Sequence, residues 1–152
     1  MIYLVDTDTL IYMMRGLKIE VAKTDRQRHW QERGHSIFNS ARAREQAGDE
    51  VGLSAITVAE LEAGARNSTD YATEMAITNR ILSPFRLFDF DATDCAFHYG
   101  DIRFTLEKKG AGIGSLDTFI AAHARALGAT LVTNNLKEFS RVPGLKCENW
   151  ST

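Results

Sequence analysis

The chain has 152 residues, 44% hydrophobic and 25% charged, the balance of an ordinary globular domain long enough for one well-packed core. Its formal net charge of −2 excludes a surface that is basic all over, and no apolar run approaches the length of a membrane span. A cytoplasmic protein with one domain over residues 1–152 is therefore expected. Its two cysteines, Cys95 and Cys147, lack the paired spacing of a disulfide framework or a thiolate metal site and read as packing residues.

Ile2–Val5 is a short continuous apolar run, as in a strand covered on both faces of a parallel sheet. A Thr-Asp-Thr turn at positions 7–9 and an apolar helical segment follow it. From about 17 to 36 the apolar residues are sparse and the charges dense, which predicts an exposed helical arm. Between Lys18 and Arg44 seven basic residues face three acids, about +4 against about −6 in the rest of the chain. That asymmetry suits a phosphate-contacting arm beside an acidic pocket as well as it suits a solvated helix, with Arg26, Arg28 and Arg33 the candidate contacts. Further strands are predicted at 51–54, 86–88 and 130–133, with an edge strand at 145–147. Helices are predicted at 57–65, 70–82, 92–109 and 116–127, the last closed by Gly128 in the cap position. Strands alternating with helices of this length imply an α/β sandwich around a parallel sheet with right-handed crossovers.

Three acids fall where such a fold binds ligands. Asp6 follows the first buried strand, and the crevice beyond the carboxyl ends of parallel strands is the ligand site of open sheets; helix capping in that turn suits Asp8 or Thr9 better. Glu60 belongs to a Thr57-x-x-Glu60 capping-box pattern, but it shares a helix face with Ile56, Ala63 and Gly64, small neighbours that suggest a close approach. Asp117 lies in the first turn of a helix opened by Gly114-Ser115, where the helix dipole favours an acid. It also heads the stripe Ile120, Ala121, Ala124 that should face the sheet. Asn135, after the last main strand, and Glu138 beyond it could complete the cluster, although Asn134-Asn135 is also a common turn pair. Asp89, Asp91, Asp94 and Asp101 read as turn, cap or surface acids. His123 reads as partly buried or at the surface, and no histidine pair has metal-ligand spacing. Carboxylates gathered at one sheet edge repel unless a cation lies among them. Hard oxygen ligands select Mg²⁺ or Mn²⁺.

Taken together, Ile2-Tyr3-Leu4-Val5-Asp6-Thr7, the run from Leu53-Ser54-Ala55 through Glu60 to Ala63-Gly64, Ile113-Gly114-Ser115-Leu116-Asp117 with the alanine-rich helix after it, and the tail from Leu131-Val132-Thr133-Asn134-Asn135 to Trp150 resemble the PIN-domain toxins of the VapC family. The resemblance runs in order over nearly the whole chain. It implies a PIN-like three-layer α/β/α sandwich around a mainly parallel sheet of four to five strands. It further implies a Mg²⁺-dependent endoribonuclease, with Mn²⁺ as a substitute, that cuts transfer or ribosomal RNA, is restrained by a cognate VapB-type antitoxin and forms homodimers. The family's acidic positions fall on Asp6, Glu60 and Asp117, with Glu60 acting directly or through water. The fourth, often Asp, falls on Asn135, beside Thr133; Glu138 is the acid able to compensate. Asp8 stands where the family more often has Asn, and the length between about 17 and 36 is atypical.

Two other readings compete. Leu4-Val5-Asp6-Thr7-Asp8-Thr9 also resembles the opening motif of haloacid-dehalogenase-type phosphatases, with Asp6 as nucleophile and Asp8 as general acid or base, but no acid follows Thr133 where that chemistry needs one. A non-catalytic PIN-like partner-binding module is the other. Dinucleotide and P-loop motifs are absent.

Overall fold

The run Ile2–Val5 forms β1, the central strand of a five-stranded sheet in a computed structural model that describes residues 1–152. Successive side chains point to opposite faces of a strand, so Tyr3 and Val5 enter one core and Leu4 the other. β2 (Glu50–Ser54), β3 (Arg86–Phe88), β4 (Thr130–Val132) and β5 (Lys146–Glu148) complete the order β3-β2-β1-β4-β5. All pairings are parallel, with Tyr3 opposite Val51 and Leu4 opposite Leu131. The chain winds outward from β1 in one direction and then in the other, so the β1–β4 boundary is a topological switch point with a crevice at its carboxyl end.

The helices are α1 (Thr7–Lys18), α2 (Asp25–Gln46), α3 (Ala55–Arg66), α4 (Tyr71–Leu82), α5 (Asp94–Lys108), α6 (Ser115–Leu127) and the short α7 (Leu136–Phe139). The first core packs Leu10, Met13 and Met14 of α1 and Ile37 and Ala41 of α2 on Tyr3, Val5, Val51 and Leu53. The second packs Ile102 and Leu106 of α5 and the small residues Ala121 and Ala124 of α6 on Leu4 and Leu131. Each large apolar side chain so removed from water contributes about 1.5–3 kcal/mol. Alanines along α6 let its backbone lie close to the sheet, and Gly128 ends it at φ +64°, with its N–H on Arg125 O. That is the left-handed closure glycine makes easily.

The segment at 17–36 is helical from Asp25 and mostly exposed, as expected, but it is not a free-standing arm. Its second half is the start of the 22-residue α2, which lies along α1 with Gly34, Ile37 and Ala41 buried. The contact is made by backbone: a Cβ added to Gly16 would stand 2.5 Å from Trp30 O, and one on Gly34 2.9 Å from Gly16 Cα. Interfaces built on glycine carry little apolar periodicity, which is why the sparse hydrophobic residues gave no sign of this one. On α3, by contrast, Ala63 and Gly64 are exposed, and a Cβ on Gly64 would meet nothing within 4 Å. Replacing Gly34 with valine is therefore expected to destabilise the protein by about 1–3 kcal/mol through overpacking. Gly64→Ala, in an open helical position, should stabilise it by about 0.5–1 kcal/mol. Urea unfolding followed by circular dichroism measures both.

Candidate active site

Where β1 ends, Asp6 takes extended backbone angles and becomes the N-cap of α1: its Oδ1 accepts from Thr9 N at 2.7 Å. Capping thus falls on Asp6 and not on Asp8 or Thr9. The second oxygen is held too, because Thr133 at the exit of β4 donates its hydroxyl to Asp6 Oδ2. Asp6 is only 4% exposed, and burial pushes its carboxyl above the ordinary range against the lowering effect of the Thr133 and Thr9 hydrogen bonds.

Glu60 reaches the same crevice from α3. The capping box with Thr57 does not form, since α3 begins earlier and is capped by Ser54, whose Oγ accepts from Ile56 N at 3.0 Å. Thr57, fully buried, instead meets Thr7 Oγ1 at 2.8 Å, and Thr7 donates to Glu60 Oε1 at 2.9 Å. This hydroxyl relay aims Glu60 back toward α1. Nothing in the sequence reading singled out Thr7; the available signal was a hydroxyl placed next to Asp6 on the same helical turn.

Asp117 lies half-buried in the first turn of α6, with Ile120, Ala121 and Ala124 below it fully buried as the stripe predicts. Its carboxyl is pushed up to about 6 by burial first and then by the negative charges of Asp6, Asp8, Glu138 and Glu60. Five carboxylates from four parts of the chain therefore share one field. Asn135, after β4, donates through Nδ2 to Glu138 Oε2 at 2.8 Å, and its backbone N–H donates to Thr133 Oγ1 at 2.9 Å.

Asp6 and Asp8 border a cavity of about 430 Å³ that is also lined by Thr9, Tyr12, Arg33, Asn134, Asn135 and Asn149. Of the three arginines considered, Arg33 alone lines it. Arg28 pairs with Asp25 at 2.7 Å, and Arg26 lies over the Trp30 ring. No three His, Cys, Asp or Glu side chains stand as a ready-made cation cage. The donor set nevertheless fits a hydrated hard cation, which binds through one or two carboxylates and keeps several waters, and the crowding that raises Asp117 is what a cation would relieve.

His123 is fully buried, contrary to the sequence reading, with Nδ1 2.7 Å from Ser54 Oγ and Phe88 and Phe90 edge-on to its ring. Desolvation pushes its pKa down. It ties the helix bearing Asp117 to the cap of the helix bearing Glu60. Cys95 is buried and Cys147 half-buried, both free. Asp101 pairs with Arg125, and Asp91 accepts from Thr93 N at 2.9 Å, as surface and turn acids should.

A doubly wound parallel sheet with convergent carboxylates at its switch point defines a class of acid-site α/β proteins. Comparison with known proteins narrows it. A model of the PIN domain matches residues 3–145. Ribonuclease VapC2 of Haemophilus influenzae is 36% identical over 148 residues, 97% of each chain. The tRNA(fMet)-specific endonuclease VapC of Salmonella typhimurium is 41% identical over 98 residues, 64% of this chain and 74% of that one. Among solved structures, VapBC2 from Rickettsia felis, bound to a DNA fragment from its promoter, superposes with a TM-score of 0.81 at 35% identity over 99% of each chain. The chain belongs to the PIN-domain family and, within it, to the VapC ribonucleases, which overturns the phosphatase reading.

Crowding at Asp117 has a consequence for stability. An acid whose folded pKa lies near 6 rather than 3.8 ionises in the unfolded chain first. The protein should therefore lose stability as pH rises from about 4 to 6 and keep that deficit above 6. Asp117→Asn in metal-free buffer is expected to raise the melting temperature at pH 7.5, with the gain vanishing toward pH 4. Thermal melts across that range, with and without added divalent cation, read the effect.

Proposed function

We propose that this chain is a Mg²⁺-dependent endoribonuclease, the toxin of a VapBC-type pair, with Asp6, Glu60, Asp117 and Asn135 as its catalytic set. One observation carries the reading: Asp6 at the exit of β1, Glu60 of α3, Asp117 of α6 and Glu138 of α7 share the crevice at the switch point, where burial first and then the other acids' charges hold Asp117 near 6. Asp6 and Asp117 would hold the cation, joined by Glu60 directly or through water, and Mn²⁺ should substitute because the donors are all hard oxygens. When bound, the cation supplies positive charge that eases deprotonation of water and offsets the charge growing on the phosphoryl oxygens.

The remaining groups orient. Thr133 fixes one oxygen of Asp6, and Thr7 fixes the Glu60 carboxylate. Asn135 brings an amide where an acid would add charge, and Glu138, hydrogen-bonded to it, restores that charge. Asp8, exposed at the rim, adds to the field without being locked. With one corner neutral, a single firmly held Mg²⁺ is the expected complement. Arg26, Arg28 and Arg33 are proposed as RNA contacts, Arg33 foremost because it borders the cavity.

Transfer RNA is the favoured substrate, with ribosomal RNA the alternative, since a relative 41% identical over 98 residues is named a tRNA(fMet)-specific endonuclease. A VapB-type antitoxin is the proposed partner because the superposing Rickettsia structure is a VapBC assembly. Self-association as a homodimer completes the reading. No helix is long and apolar enough to cross a membrane. The test is cleavage of total RNA by antitoxin-free protein. Discrete fragments should form with Mg²⁺, disappear with EDTA, and fall by at least about a hundredfold in Asp6→Asn, the scale seen when a charge-stabilising group is removed. Intact RNA with the wild-type protein and Mg²⁺ would leave the partner-binding module.

A further inference from the structure

The cavity beside Asp6 is lined by groups of opposite character: Asp6 and Asp8 are acidic, Arg33 is basic, and Tyr12 and Asn149 belong to the same lining. Arg33 takes part in none of the ion pairs of the fold. Two of its neighbours in the basic stretch are engaged elsewhere, Arg28 with Asp25 and Arg44 over the Tyr3 ring. Asn149 is oriented: its Oδ1 accepts from Ser151 N at 2.8 Å and Ser151 Oγ at 2.6 Å, which commits the acceptor end and leaves the amide donors uncommitted. Tyr12 is pinned as well. Its ring leans on Trp30 at 5.7 Å, and Arg15 lies over the other partner of that pair.

A free guanidinium, an oriented amide donor and a fixed aromatic ring, next to a carboxylate cluster, are the complement of a nucleotide joined to a phosphate that the acids and their cation engage. An acidic cleft alone would repel a polyanion. Resting on the nuclease reading above, we propose that Arg33, Tyr12 and Asn149 form a subsite for the nucleotide adjoining the scissile phosphate in a single-stranded RNA segment. In it Arg33 engages the flanking phosphate, Tyr12 lies against the base and Asn149 meets its edge. Duplex RNA could not present a base there, because its bases are stacked and paired.

The test uses full-length, antitoxin-free protein, a short labelled single-stranded oligoribonucleotide of mixed sequence and the same strand annealed to its complement. In an Asp6→Asn background, where binding is read without cleavage, adding Arg33→Ala should weaken single-strand binding about tenfold and lower the salt slope by about one. Tyr12→Leu should weaken it similarly with the salt slope retained. In the cleaving protein the loss for Arg33→Ala should fall on KM rather than kcat, with partial recovery in Arg33→Lys. Melting temperatures of the variants, compared with the parent, separate binding loss from misfolding.

Unchanged affinity and salt slope in Arg33→Ala, alongside abolished cleavage in Asp6→Asn, would overturn the subsite while the nuclease stands. A lower Mg²⁺ requirement in Arg33→Ala with unchanged KM would also overturn it, making Arg33 an internal counter-ion of the acids. Equal affinity for duplex and single strand would overturn the base contact. If the parent cleaves no RNA, the nuclease reading fails and the subsite beside a scissile phosphate falls with it.

Discussion

Both oxygens of Asp6 are committed before any ligand arrives, one to the first turn of α1 and the other to the Thr133 hydroxyl at the exit of β4. These two strands send their chains to opposite faces of the sheet, so the carboxylate pins the crevice at the place where the winding reverses. The other acids are arranged about that fixed point. Glu60 is turned in by Thr7, Glu138 is tethered by Asn135, and Asp117 heads a helix whose buried alanines hold it against the sheet. The product is a local excess of negative charge that packing elsewhere offsets, as is usual where a fold departs from its own stability rules for a function.

Much of this was legible in the sequence because it depends on periodicity and on position within an element. The unbroken apolar run of β1 announced a strand buried on both faces, and the Ile120, Ala121, Ala124 stripe placed Asp117 on the sheet side of α6. Gly128 marked the helix end to the residue. Those features are local, and local rules recover them.

What escaped was set by contacts between distant segments. The Thr57-x-x-Glu60 pattern has the spacing of a capping box, but Ser54 begins α3 earlier and the Thr7 hydroxyl, 53 positions away from Glu60, claims its carboxylate. His123 carries no sequence mark of burial, because its niche is made by Phe88, Phe90 and Ser54 from other elements. At 17–36 the helix and its exposure were legible but its packing on α1 was not, since that contact is glycine backbone and the charged residues lie along the exposed side.

That glycine contact between α1 and α2 has a bearing on how faithfully the cleft keeps its dimensions. Side chains at a helix interface can change rotamer and let two helices slide or part; bare backbone at Gly16 and Gly34 offers no such play. Asp6 caps α1 and Arg33 stands on α2, one residue before Gly34, so the separation of the acid and the guanidinium that line the cleft is set by main chain rather than by rotamers.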